Sequence, residues 1–501
     1  MNQKTRNAPP RAGAMLESLR GLGYSTAAAL ADVIDNSISA DASNIAVNLT
    51  WSGASSRISI LDDGRGMSDP ELESAMRLGD KNPLDARDPK DLGRFGMGLK
   101  TSSFSQCRRL TVTSLKDGAR SCLRWDLDAL KNNPSGGWLM YEGPADGSEA
   151  CIEPLAALGS GTLVLWECLD RIVTPSYGAN DFNDLIDGIE AHLAMVFHRL
   201  IEGPKPVFRL TLNGKTVKPW DPFMDDHPSK TWSAPIEKNR TPSGVVEVEG
   251  HVLPHKDMLT VKEFEEAAGP AGWTAQQGFY IYRNKRLLVA GGWLGLGQGR
   301  PWNREEFYRL ARIRLDIPNT ADADWKIDIR KSTARPPVAL RPWLTKLAED
   351  TRSRARKVFA FRGAPVAGPG RTAIEQAWRV EHTAGGTKYR IDVKHPVVAA
   401  VLEGSADKGA MVKAMLRVIE ETVPVQRIWL DTAESRDTPR TGFSGEAPDQ
   451  VKAILTTIYA DMTGRRGMSE ESAKRALLAT EPFQNYPALI ASLPPAGSTS
   501  T

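Results

Sequence analysis

Three short polar motifs follow one another early in the chain, and together they constrain the fold more than any bulk property. The first, Asp32-Val33-Ile34-Asp35-Asn36, lies in an Ala-rich stretch that begins at Ser25. Ser25 is a good N-cap, and Leu30, Val33, Ile34 and Ile38 recur at helical spacing, so the stretch predicts an amphipathic helix. Asp32 and Asn36 are four apart and share one face. Asn36 is a compact oxygen ligand suited to a phosphate-bridging Mg²⁺, and the carboxylate one turn earlier is placed to orient and deprotonate a water. Taken alone, an exposed polar helix face explains the same residues equally well.

The second motif, Asp62-Asp63-Gly64-Arg65-Gly66-Met67, follows the strand-like run Arg57–Leu61. A carboxylate at a strand end can accept the exocyclic amine of adenine, and the glycines let the backbone approach a flat base. An ordinary Asp-Gly turn is the bland alternative. The third, Gly93-Arg94-Phe95-Gly96-Met97-Gly98-Leu99-Lys100, leads into a short apolar helix. Glycines before a helix start offer backbone N–H groups to phosphate, and Lys100 adds a point charge. The loop does not join the strand and helix of an early βαβ unit, so a dinucleotide-binding fold does not fit.

Order and spacing make the set stronger than its parts, and the set resembles the GHKL ATPases, the Bergerat-fold superfamily. The resemblance covers about residues 12–200. It implies bound ATP and Mg²⁺, with Asn36 as the metal ligand and Asp62 reading adenine beside Gly64, Gly66 and Met67. Gly93, Phe95, Gly96, Met97, Gly98 and Lys100 would hold the phosphates, and residues 79–93 would form the lid over ATP. A fourth motif, Gly161-Thr162-Leu163-Val164-Leu165-Trp166, resembles the family strand whose Thr sits beside the adenine-reading Asp. One departure stands out. The family's general base is usually Glu, and here the position is Asp32, shorter by one methylene. Slow hydrolysis with Asp32 as base, Asp35 in reserve, competes with an ATP-binding switch that scarcely turns over.

Further along, Gln277–Leu287 with Gly291-Gly292-Trp293 resembles the transducer domain of MORC and MutL ATPases. The run Trp325–Ser332 resembles the loop that carries the transducer's switch lysine, which points to Lys331, with Lys326 in reserve; a solvated basic strand end is the plain alternative. Only 31 residues precede Asp32 and none is His, which argues against a histidine kinase, and too few residues follow 345 for a topoisomerase. The resemblance is therefore to the prokaryotic MORC-like and MutL-like branch.

The expected architecture is α/β and α+β. It comprises a flexible arm (1–11), a Bergerat-fold α/β sandwich (12–203), a transducer-like α+β domain (204–348), a basic linker (349–371) and a smaller C-terminal α+β or helical domain (372–495). Composition permits this: 501 residues are ample for several cores, and 41% apolar with 25% charged is an ordinary globular mixture. Lys+Arg 64 against Asp+Glu 61 gives +3, which excludes a basic coat but not a local basic groove. Four scattered cysteines suggest neither a zinc site nor a disulfide framework. No apolar run is long enough to span a bilayer, and no leader is visible, so a cytoplasmic protein with no membrane partner is expected.

What the resemblance implies is an ATP-driven homodimeric clamp acting on duplex DNA in a restriction or phage-defence system, with a nuclease or helicase of that system as a further partner. The basic run 352–371 is a candidate phosphate contact. The turn Thr463–Gly467 between two helices is a weaker candidate for DNA recognition, since a plain helical hairpin is commoner. A protein-remodelling ATP switch that never touches DNA is the alternative.

Overall fold

The computed structural model describes residues 6, 10–21, 23–80, 98–133, 137–321, 324–328, 331, 333–360, 375–383, 386–404, 409–425, 428, 447 and 449–494. They fall into two compact units, 1–360 and 361–501.

The first unit opens with α1 (Ala12–Arg20) and α2 (Thr26–Ser39). Ser25 caps α2 by accepting from the Ala28 N–H, as its place before the Ala-rich run predicts. Then come β1 (Asn44–Thr50), β2 (Arg57–Asp62), α3 (Asp69–Met76) and α4 (Gly98–Phe104). The strands β3 (Arg109–Lys116) and β4 (Ala119–Asp126) form a hairpin, followed by α5 (Leu127–Lys131), β5 (Tyr141–Glu142), α6 (Glu149–Ile152) and β6 (Gly161–Glu167). The helices α7 (Ala179–Val196) and α8 (His198–Ile201) lead to β7 (Arg209–Leu212) and β8 (Lys215–Thr216).

These strands make one eight-stranded sheet, β5-β4-β3-β6-β2-β1-β7-β8, antiparallel except where β1 meets β7. Alternate residues of the central strands (Ile45, Val47, Ile58, Ile60, Val112, Val164) face Leu30, Val33 and Ile34 of α2 and Phe182, Ile189 and Leu193 of α7 in one core. This is the expected α/β sandwich. Its edge differs from the reading of the sequence. The Asn213-Gly214 turn does make a hairpin, but β7 pairs in parallel with β1, so 209–216 extends the first sheet instead of opening the next domain.

The second layer of this unit holds β9 (Trp232–Ser233), β10 (Glu237–Thr241), β11 (Gly244–Val252), α9 (Val261–Ala267), α10 (Gly272–Ala275), β12 (Gly278–Arg283), β13 (Arg286–Ala290), β14 (Ala311–Asp316) and α11 (Arg341–Ala360). Its sheet runs β10-β11-β14-β12-β13, with β9 paired to β11. Leu344, Leu347, Ala348, Ala355 and Val358 of α11 share a core with Val246, Phe279, Ile313 and Leu315. The segment expected as a basic linker is thus helical and packed as far as Ala360, because buried positions recur every third or fourth residue (Leu344, Leu347, Ala348, Thr351, Ala355, Val358) between its exposed basic ones; 361–371 lies outside the described residues. The two layers meet through Met195, Phe223, Tyr280, Tyr282 and Leu287, and through a hydrogen bond of 2.8 Å between His198 Nε2 and the Tyr282 hydroxyl.

The β12–β13 turn places one residue of the site. Asn284 (φ 49°) and Lys285 (φ 66°) are both left-handed, the conformation of a tight two-residue hairpin turn, and Arg286 leaves it directly.

The second unit contains the antiparallel pair β15 (Trp378–Thr383) and β16 (Gly386–Ile391), with helices over Pro396–Gly404, Gly409–Glu421, Asp449–Ala460 and Glu470–Leu478. Leu455, Ile458, Leu477, Phe483 and Ile490 form its core. No helix among the described residues is long and apolar enough to cross a membrane.

Candidate functional site

Helix α2 carries Asp32, Asp35 and Asn36 toward the seam between the two layers of the first unit. Asn36 is exposed, and its amide nitrogen donates to the Asp32 carbonyl at 3.1 Å, which leaves the amide oxygen as its remaining acceptor. Asp32 is buried (6% exposed) and accepts from the Tyr24 hydroxyl at 3.0 Å on Oδ2. Burial, then the Asp32 charge and this hydrogen bond, push the tyrosine well above its ordinary value, so Tyr24 stays a donor.

Asp62 ends β2 and is also buried. Its carboxylate accepts from the Ser37 hydroxyl (2.7 Å) and from the Gly64 N–H (3.0 Å). Burial raises its pKa, opposed by those hydrogen bonds. The glycines that follow are needed for shape. A Cβ on Gly64 would lie 2.9 Å from Ala40, and one on Gly66, whose φ is 67°, would lie 2.0 Å from the Leu115 carbonyl oxygen. The Met67 N–H donates to Ser114 Oγ (2.8 Å), and Ser114 Oγ lies 2.9 Å from Thr162 Oγ1. Thr162 stands opposite Asp62 in the β2–β6 register. The structure therefore brings Asp62, Gly64, Gly66, Met67 and Thr162 to one end of the sheet.

Gly98 opens α4, with nothing within 4 Å of a Cβ placed there. Gly93, Phe95, Gly96 and Met97 lie outside the described residues, as does most of the expected lid. Lys100 is buried, and its Nζ donates to the carbonyls of Ala75 (2.8 Å) and Arg77 (3.0 Å) at the end of α3. In this conformation it closes that helix end.

The second layer adds two cations. Lys331, in a left-handed conformation (φ 53°), donates from Nζ to Asp32 Oδ1 (2.9 Å) and Asp35 Oδ2 (2.5 Å). Arg286 donates from Nε to Asp35 Oδ1 at 3.1 Å, and its Nη2 lies 3.9 Å from Asp32. Burial pushes the Asp35 carboxyl up, but Arg286 and Lys331 outweigh it and hold the group below its ordinary value. The four charges cancel in a nearly dry place, where each side chain is 13% exposed or less. Lys326, the reserve lysine, is exposed.

Reading the sequence missed Tyr24, Ser37, Ser114 and Arg286 as parts of the site. Ser37 carries a faint signal, one residue past Asn36 on a helix otherwise apolar on that side. Arg286 lies in the run Gln277–Leu287 that the sequence singles out, but it, Tyr24 and Ser114 are brought to the site only by the tertiary fold.

A mixed sheet backed by helices, with a carboxylate at a central strand end, a glycine turn beside it and an Asp/Asn helix above, is the arrangement that the resemblance to the Bergerat-fold ATPases implies. Residues 24–155 match the family described as histidine kinase-, DNA gyrase B- and HSP90-like ATPase. The chain is 36% identical over 94 residues to the DNA mismatch repair protein MutL of Rhodospirillum rubrum, 19% of this chain and 15% of that protein. It is 30% identical over 95 residues to the ATPase morc-1 of Caenorhabditis elegans, 19% of this chain and 11% of that one. Residues 24–155 thus carry a domain of that ATPase family, similar over the matched stretch to the MutL and MORC ATPases. The matches span under a fifth of either relative's length.

Among the described residues no group of three or more His, Cys, Asp or Glu is arranged to hold a metal. The donor present suits Mg²⁺ all the same: a hard amide oxygen on a rigid helix, with ligand oxygens and water to complete the shell. For the adenine of ATP, the buried Asp62 carboxylate and the side-chain-free Gly64 and Gly66 fit a flat base bearing an amine.

Proposed function

We propose that this chain is a slow, Mg²⁺-dependent ATPase that works as a homodimeric switch on duplex DNA. The observation that carries the reading is the bond of 2.9 Å between Lys331 and Asp32, which joins the second layer to the candidate base on the ATP-binding helix. Asp62 reads adenine, with Thr162, Gly64, Gly66 and Met67 shaping its pocket. Asn36 holds the metal, which supplies charge neutralisation at the phosphates when bound. Gly93, Phe95, Gly96, Met97, Gly98 and Lys100 are the residues assigned to hold those phosphates.

Asp32 is the general base. Each of its oxygens already accepts one hydrogen bond, from Lys331 and from Tyr24. Moving Lys331 from Asp32 to the terminal phosphate turns Oδ1 toward the attacking water, while Tyr24 holds the carboxylate in place. Hydrolysis is then tied to the position of the second layer. Asp35 is held below its ordinary pKa by two cations, which makes it a poor proton acceptor and a good anchor.

Hydrolysis by wild type and by Asp32→Asn tests the base assignment. A loss of about 10²-fold or more, with ATP affinity kept, is expected; equal rates would sink it. The DNA arm rests on likeness to relatives of the MutL and MORC type. A gel shift with long duplex DNA, with and without non-hydrolysable ATP, tests it, and no ATP-dependent shift at low salt favours a switch that remodels protein instead.

A further inference from the structure

Beside the ATP-binding layer's partner sheet, a cavity of about 410 Å³ opens between the 298–308 loop and the outer face of α11. Its floor is Arg352. The guanidinium carbon lies 3.7 Å from the Tyr308 ring centre, 4.4 Å from that of Trp302 and 4.5 Å from that of Trp293. Arg352 is only 6% exposed, and its Nη1 is buried with no hydrogen-bond partner among the described residues. The guanidinium is thus held by ring faces and by no carboxylate among the described residues, which leaves its charge to be met from the cavity.

Two further guanidiniums line the same cavity. Arg300 and Arg356 are exposed, and Arg356 lies over the Phe307 ring at 5.6 Å. Among the described residues none of the three arginines forms an ion pair. Glu305 is the single carboxylate in the lining, so the cavity carries three positive charges against one negative. Half-buried Trp302 and Phe307 leave ring surface toward it.

We infer that this cavity is a second nucleotide site, taking a nucleoside phosphate with its phosphate on the three arginines and its base against Trp302 and Phe307. Arginine forks suit phosphate oxygens, and aromatic faces stack bases with little regard to sequence. The volume falls in the range of small-molecule sites and exceeds what an inorganic anion needs. A free nucleotide and one unit of a single strand share this chemistry. The inference does not rest on the ATP or duplex-DNA readings, because the cavity is built from the second layer alone.

The test uses the full chain and thymidine 5′-monophosphate, which lacks the amine that Asp62 is proposed to read, with a twelve-nucleotide oligothymidylate as the second arm. Binding is read by quenching of tryptophan fluorescence, since Trp293 and Trp302 line the guanidinium, and checked by calorimetry. Both probes should bind wild type. Arg300→Ala and Arg356→Ala, at exposed positions that leave the fold intact, should each weaken binding about 5- to 10-fold, and Arg352→Met should abolish it. Asp62→Asn should leave thymidylate binding unchanged. An oligonucleotide affinity ten times that of the mononucleotide assigns the site to a strand, and equal affinities to a free nucleotide. The inference is overturned by no binding of either probe up to about 1 mM at low salt, by equal affinity in the rim variants, by loss in Asp62→Asn, or by inorganic phosphate binding as tightly as thymidylate.

Discussion

Asp35 sits between Arg286 and Lys331 with 2% of its side chain exposed, so its charge is satisfied only by residues some 250 to 300 positions away. Removing it leaves two buried cations to share the single Asp32 carboxylate. Asp35→Ala should cost about 3–5 kcal/mol, read as a fall in melting temperature and as protease sensitivity between the two layers. Its pKa is lowered in the fold, so its contribution is fully present above the unfolded value near 3.8 and is lost only in strong acid. The histidines act nearer neutrality. Burial and the Arg286 charge bring His192 down to about 4, and burial and the Lys230 charge bring His251 to about 3. Unfolded, both bind protons near 6.5, so the unfolded state gains protons first and stability falls as pH drops from about 6.5 toward 4. Melting scans at pH 7.5 and 5 check this; a lower midpoint at pH 5, with a smaller gap in His192→Gln, is the expected result. At this scale the sequence displayed Asp32, Asn36 and Asp62, because each belongs to a local motif with its own spacing. It did not display Arg286 or Tyr24 as site residues, because their roles come from partners distant in the chain.

Elements show where local rules hold and where the tertiary fold overrides them. The helix from Ser25 was legible because cap, apolar spacing and Ala content agree, and Ser25→Ala should cost about 1 kcal/mol in thermal unfolding. The β12–β13 hairpin turn places Lys285 at φ 66° with no glycine. Lys285→Gly should therefore stabilise by about 0.5–1 kcal/mol, seen as a raised melting temperature. Gly66→Ala runs the other way: its Cβ would meet the Leu115 carbonyl at 2.0 Å, so both stability and ATP affinity should fall. The edge of the first sheet was not legible. A hairpin motif fixes a turn but not the sheet it joins, and the parallel pairing of β7 with β1 spans some 165 residues. For α11, basic residues masked an apolar stripe, and Arg352 is a buried part of a ring cluster instead of a surface charge.

For the whole molecule, a net charge of +3 now has a local meaning. Two of the positive charges, Arg286 and Lys331, are cancelled in the seam between layers, while three others gather in one cavity of the second layer. On the proposed function, ATP read by Asp62 drives this chain from one state to another through that seam. Sedimentation velocity at micromolar protein, with Mg²⁺ and with or without non-hydrolysable ATP, tests it most directly. The expected result is a monomer that becomes a dimer only with nucleotide, a shift lost in Asp62→Asn, whose ATP affinity should drop about 10- to 100-fold, and weakened in Lys331→Met. The same sedimenting species with and without ATP, in a wild-type protein shown by calorimetry to bind it, would contradict the claim.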